Sequence, residues 1–272
     1  MIDHNKSRKT VLAGTTVGWL NSRRLNRRKR RQAVRLRASQ KFQGLETLEV
    51  RQLMSSSMFG DFNGDGFQDL AIGVPGEDIG TIIDAGGVNV IYGGATGLTN
   101  AGDDFWSQNT SGIRGVSEDG DRFGAAIAVG NFNGDAFDDL AIGVPWEDVG
   151  TIVNAGSINV IYGSRTGLTR LGDDIWHQNR SGINGVSEAD DRFGSSLAAG
   201  DFNNDGFTDL AVGVPGEDVG RIRDAGAVNV IYGSATGLTS IGDDIWDQNR
   251  PGISGASETS DSFGSVLAAG DF

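Results

Sequence analysis

Cysteine is absent from this chain, so no disulfide contributes to its stability. Histidine is nearly absent, and neither His4 nor His177 has a serine or cysteine partner in a recognisable catalytic triad. No apolar run approaches the ~18 residues of a membrane-crossing helix. The nearest thing to a secretory core, V-L-A-G-T-T-V-G-W-L at residues 11–20, is diluted by Thr and Gly. The charges that should precede it follow it instead, so it does not read as a cleaved signal. Only 4 prolines accompany 43 glycines, a balance that suits many tight turns between short strands and excludes a helical protein.

The net charge of -13 conceals two unlike regions. Residues 1–52 hold 14 Lys or Arg against 3 acids, whereas the remainder holds 9 basic and 33 acidic residues. The basic run S-R-R-L-N-R-R-K-R-R at residues 22–31 repels itself and has no apolar periodicity, so disorder is expected for residues 1–52. No interleaved aromatics or groove-reading motif accompany it, and no nucleic-acid partner is expected.

The acidic region is built on one recurring stretch. D-F-N-G-D-G-F-Q-D begins at residue 61, N-F-N-G-D-A-F-D-D at 131, D-F-N-N-D-G-F-T-D at 201, and a further D-F at 271, a constant period of 70. Oxygen-bearing side chains occupy positions 1, 3, 5 and 9, with glycine at position 6 in two copies. That spacing lets a tight loop turn several oxygens onto one hard cation, and calcium is the first reading. An EF-hand is excluded, because position 12 is Ile72, Ile142 or Val212 where that loop needs a bidentate Glu. The plainer alternative is an acidic hairpin turn that uses Asn and Asp for their backbone tolerance. It does not by itself require one side-chain spacing to persist through three copies.

Each loop runs into D-L-A-I-G-V-P or D-L-A-V-G-V-P, which reads as a buried strand. Further strands are expected at D-R-F-G-A-A-I-A-V-G and its copies, at N-A-G-S-I-N-V-I-Y-G and its copies, and around Trp106, Trp176 and Trp246. Four short strands per unit make a blade of a β-propeller. The period exceeds that of the commoner blade repeats, so long loops are expected at residues 166–173 and 179–190.

Phe-Gly at Phe123, Phe193 and Phe263, Gly-Val-Pro at Gly73, Gly143 and Gly213, and an acidic loop between them resemble FG-GAP repeats. Repeats of that kind build the propeller of integrin α chains and of many bacterial extracellular proteins. The resemblance covers residues 53–272 and implies an all-β fold of propeller blades, with units 61–130, 131–200 and 201–270 and a partial unit at 271–272. In the first unit Leu53 and Met54 stand where Phe-Gly is expected, which implies a degenerate first strand. The resemblance further implies calcium held by Asp61, Asn63, Asp65, Asp69 and the Phe67 carbonyl. The second set is Asn131, Asn133, Asp135, Asp139 and the Phe137 carbonyl, and the third is Asp201, Asn203, Asp205, Asp209 and the Phe207 carbonyl. Separately, Leu48, Glu49, Arg51, Leu53 and Met54 resemble the LEPR-XLL segment near the N-terminus of large bacterial surface proteins, with Val50 in place of Pro, which implies export.

Recurrence also bears on catalysis, because an active site is used once. The pairs Glu77-Asp78, Glu147-Asp148 and Glu217-Asp218 repeat with everything else, so a loop or capping role is expected and no enzyme activity. His177 stands where other units have Ser107 and Asp247, which suits a solvated position. The Trp at 106, 176 and 246 reads as blade packing, while Trp146, opposite Gly76 and Gly216, is the candidate contact residue. The expected function is an extracellular or cell-surface adhesion module whose partner is a protein or a surface glycan. The alternative is the propeller of a larger secreted hydrolase or lyase. Three units leave sheet edges open, so association through them is expected. The second loop is expected to bind calcium most weakly: it has Asn131 for the leading Asp, and Ala136 where a left-handed glycine is usual.

Overall fold

A computed structural model of the chain describes residues 58–270. The basic segment, Leu53, Met54, the LEPR-XLL-like residues and the pair at 271–272 lie outside that range. The first blade comprises β1 (Met58–Gly60), β2 (Asp69–Val74), β3 (Gly87–Ile91) and β4 (Asp104–Trp106). The second comprises β5 (Ala126–Gly130), β6 (Asp139–Val144), β7 (Ser157–Ile161) and β8 (Asp174–Trp176). The third comprises β9 (Ser196–Gly200), β10 (Asp209–Val214), β11 (Ala227–Tyr232) and β12 (Thr239–Trp246).

Each blade is a four-stranded antiparallel sheet in sequential order, as expected of propeller blades joined by hairpin connections. The register repeats with the sequence: Leu70 faces Ile91, Leu140 faces Ile161 and Leu210 faces Ile231. The first strand of the second blade lies against those of both neighbours, β5 touching β1 and β9. Among the described residues the sheets do not close into a ring.

Side-chain alternation turns each sheet into a two-sided wall. Leu140, Ile142 and Val144 of β6 enter a core shared with Ala71, Val88, Val90 and Trp106 of the first blade. Ala141, on the opposite face of the same strand, joins Ile158 and Val160 in a core shared with Leu210, Val212 and Val214 of the third. Because both faces are covered, all six residues of β6 are buried. The blades are therefore stabilised chiefly by what they bury against one another.

A strap reinforces each seam. Residues 120–123 leave the first blade's outer loop and run back along residues 83–86, with Arg122 N–H donating to Asp84 O (3.1 Å) and Phe123 N–H to Ala85 O (2.9 Å). Gly124 then donates to Gly143 O at 3.1 Å while its own carbonyl lies so close to Gly73 that a Cβ there would collide with it. The same meeting recurs between Gly194 and Gly143 and between Gly264 and Gly213. Glycine is required at this crossing because two backbones occupy the space of a side chain.

Candidate metal centre

The acidic loops join the first two strands of each blade, and they are pinned from both sides. Phe62 and Phe132, the second residues of the first two loops, are fully buried beneath the next blade. Asp61 O accepts from Asp138 N–H (3.1 Å), Asp61 N–H donates to the Asp138 carboxylate (2.8 Å), and Asn131 O accepts from Thr208 N–H (3.2 Å), so the first two loop starts are tied to the following unit. The Asp138 carboxylate thus serves the neighbouring loop.

Within the first loop, three of the four expected ligand side chains gather about one turn. Asp65 N–H donates to both Asp61 Oδ1 (3.0 Å) and Asn63 Oδ1 (2.9 Å), Gly66 N–H donates to Asp61 Oδ2, and Phe67 N–H donates to Asp65 Oδ1. The third loop repeats this through Asp201, Asn203, Asp205 and Phe207. Asp69 is anchored separately at the start of β2, accepting from Phe62 N–H (2.9 Å) and Gly93 N–H (2.8 Å). Asp139 and Asp209 hold the equivalent positions, with Gly163 and Gly233 as the second donors. Burial raises all three carboxyls above the ordinary aspartate value, Asp139 to about 7.

The second loop is built differently. Asn131 Nδ2 donates to Asp135 O, and its Oδ1 has no hydrogen-bond partner among the described residues. Gly66 and Gly206 take φ of 85° and 92°, but Ala136 is not left-handed. The expected penalty for a Cβ in that conformation is therefore not incurred. The loop avoids it by giving up the bonds that positions 5 and 6 make to residue 1 in the other copies. Position 4 is left-handed throughout, as Gly64, Gly134 and Asn204 (φ 59°), the last being a residue type that tolerates it.

These side chains offer hard oxygens alone, the donor set that calcium takes, and the unpartnered Asn131 Oδ1 is one more acceptor of that kind. Among the described residues no three His, Cys, Asp or Glu side chains converge as a metal cluster. The loop carboxylates instead accept their own backbone N–H groups, and the position 9 carboxylates accept from the second residue of the same loop.

Other sequence expectations resolve as follows. Asp78, Asp148 and Asp218 cap the N–H groups of Asp84, Asn154 and Asp224, the capping role expected of the Glu-Asp pairs. The glutamates do something else: Gln108 donates to Glu147 and Gln178 to Glu217 across successive seams. That link was missed, although Gln after each outer Trp and Glu after each Pro recur in phase. His177 is half-buried, only partly open to solvent, and burial lowers its pKa. Trp106 and Trp176 are packed into the seams as expected. Trp146 lies under the Arg122 guanidinium, 4.5 Å from the ring centre.

The sequence profile described as FG-GAP repeat matches residues 55–97, 123–161 and 193–231, which cover the first three strands of each blade. The repeating units are FG-GAP repeats. The strap geometry gives their two signature motifs a shared purpose, since the Phe-Gly of one FG-GAP unit crosses the glycine that precedes Val-Pro in the unit before it. The chain is 37% identical to a mouse phosphatidylinositol-glycan-specific phospholipase D over 119 residues, 44% of this chain and 14% of that protein. It is 30% identical to integrin alpha-3 of Cricetulus griseus over 197 residues, 70% of this chain and 17% of that protein. It is 33% identical to integrin alpha pat-2 of Caenorhabditis briggsae over 199 residues, 66% of this chain and 14% of that protein. The chain thus spans less than a fifth of these relatives.

Proposed function

We propose that this FG-GAP chain is a calcium-stiffened extracellular or cell-surface interaction module of adhesion type, with a protein or surface glycan as partner. The observation that carries the reading is recurrence. Nearly every buried polar group in one seam has a counterpart in the next, as expected of a scaffold and not of an active site. Similarity to integrin α chains over 70% of the chain supports the adhesion class.

In this reading Asp61, Asn63 and Asp65, with their counterparts in the other loops, hold the ion. Asp69, Asp139 and Asp209 close the cage from the strand, and the Phe67, Phe137 and Phe207 carbonyls complete it. The bound ion supplies positive charge that cancels the repulsion among crowded carboxylates; the chain supplies the fixed turn. A melting titration of the full chain tests this. Extracellular sites bind calcium at roughly 10⁻⁴ to 10⁻³ M, so ~10 mM calcium adds about 1.4 to about 2.7 kcal/mol per site. Magnesium, which demands a smaller and stricter octahedron, adds much less. A midpoint unmoved between calcium and chelator removes the metal from this account.

A second reading makes the chain the propeller of a larger secreted enzyme, and the similarity to phosphatidylinositol-glycan-specific phospholipase D favours it. Sequencing the surrounding coding region separates the two. Further FG-GAP units alone support adhesion, and a hydrolase or lyase domain supports the enzyme. The 272-residue chain taken alone leaves blade faces uncovered, so it should associate with other copies, which sedimentation over a concentration series detects as mass above the monomer.

A further inference from the structure

The seams contain a second set of buried oxygens, separate from the hairpin loops. At the second seam, Gln178 reaches from the second blade so that its Nε2 donates to Glu217 Oε2 of the third. Asp191, on the intervening strap, is tied into the same place twice: Gly216, which precedes Glu217, donates its N–H to Asp191 O, and Glu188 N–H donates to Asp191 Oδ2. Ser187 adjoins Glu188. Gln178, Ser187 and Asp191 are nearly inaccessible, at 2%, 4% and 1% exposure. Three oxygens of this group, Gln178 Oε1, Ser187 Oγ and Asp191 Oδ1, have no hydrogen-bond partner among the described residues. The first seam repeats the contacts of Gln108 with Glu147 and of Glu118 with Asp121, and Gln108 Oε1 and Ser117 Oγ are likewise unpartnered, but the backbone tie that Gly216 makes to Asp191 has no counterpart from Trp146 to Asp121 among the described residues.

The unpartnered atoms named here are oxygens, while Trp106 Nε1, Trp176 Nε1 and His177 Nδ1 of the same outer segments also lack partners among the described residues; one buried aspartate and one half-buried glutamate belong to each seam. No hydrogen bond joins Asp191 to Glu217 or Asp121 to Glu147 among the described residues, so neither pair is arranged to share a proton directly. A single proton would supply one donor among these oxygens and leave the other carboxylate charged. A cation satisfies the carboxylates and the neutral oxygens together. We propose that each blade seam is itself a binding site for a hard divalent cation of the calcium class. Its ligands are Gln108, Ser117, Asp121 and Glu147 at the first seam and Gln178, Ser187, Asp191 and Glu217 at the second. The ion couples adjacent blades, a task distinct from stiffening a hairpin within one.

The test uses the full chain with the hairpin loops disabled by Asp65→Asn, Asp135→Asn and Asp205→Asn together. Terbium and calcium are the probes, and terbium emission is excited through Trp106 and Trp176, each two residues from a seam glutamine. Sensitised emission is expected to persist, displaced by calcium with a stoichiometry of one ion per seam. Adding the near-isosteric pair Asp191→Asn and Glu217→Gln is expected to remove one ion or weaken it at least roughly tenfold, with the first-seam ion retained. Loss of all binding on disabling the loops overturns the proposal, and so does residual binding that the seam pair leaves unchanged. Should the seam pair fail to fold, emission from the loop-disabled chain still decides, because it needs no seam substitution.

Discussion

The second and third blades present the same face to very different surroundings. On the side of the second blade that looks toward the third, Ala141, Ile158 and Val160 are fully buried and Trp176 nearly so. Their counterparts on the third blade, Ala211, Val228 and Val230, retain 7–9% exposure, and Trp246 is only partly covered. The loop aromatics differ more: Phe132 is fully buried and Phe202 is 46% exposed. The first blade's outer side is similarly uncovered, with Phe59 60% exposed. The comparison teaches that a residue's contribution here is set by whether a neighbouring blade covers it, and only secondarily by its identity.

Truncating matched aromatics should distinguish the two blades most strongly. Phe132→Ala should cost about 3 to about 5 kcal/mol, because it empties a filled seam. Phe202→Ala should cost less than half of that in a chain with nothing packed beyond it. Urea unfolding of the two variants measures both, and equal losses would show that the seams do not concentrate the stability. A backbone version follows at smaller scale. Gly143→Ala drives a Cβ into the Gly194 carbonyl inside a closed seam and should cost about 1 to about 3 kcal/mol. Gly213→Ala meets the Gly264 carbonyl, but that strap is uncovered on its far side and can shift, so its melting point should fall less.

The loops allow the comparison to be sharpened. Asn131→Asp with Ala136→Gly should convert the second loop to the conformation of the first and third and raise its calcium affinity by about tenfold, or ~1.4 kcal/mol. Without calcium the same variant should be less stable than the parent, since a third carboxylate crowds the loop and glycine replaces alanine. Isothermal titration of this loop with its neighbours disabled checks the first part, and unchanged affinity would show that the third negative charge and the glycine do not set the order. The smallest effect is expected at Trp146, which one seam has and the other lacks. Trp146→Gly, restoring the residue found at 76 and 216, should lose about 0.5 to about 1 kcal/mol from the Arg122 contact. A double-mutant cycle with Arg122→Ala reads that coupling directly, and a cycle that closes to zero would leave Trp146 available purely as a contact residue.

Much of this molecule was legible in its sequence because a repeat supplies its own controls. Constant spacing located the strands of the blades, apart from the early start of β12 at Thr239, together with the acidic loops between the first two strands and the glycine motifs whose meeting the structure then revealed. The physical reason is that strands and turns depend on side-chain alternation and local backbone tolerance, which each unit carries within itself. What lay beyond the sequence depends on neighbours. Ala136 was expected to strain a left-handed position, yet the loop takes another path, because a short exposed turn can exchange one set of hydrogen bonds for another. Glu147 and Glu217 read as one half of a capping pair, but only the adjoining aspartates cap. The glutamates cross to a glutamine of the previous blade, a contact that exists only once two units are set side by side. Tertiary structure also decided that Phe132 is core and Phe202 is surface, though the two occupy the same place in the repeat, because burial belongs to the seam and not to the unit.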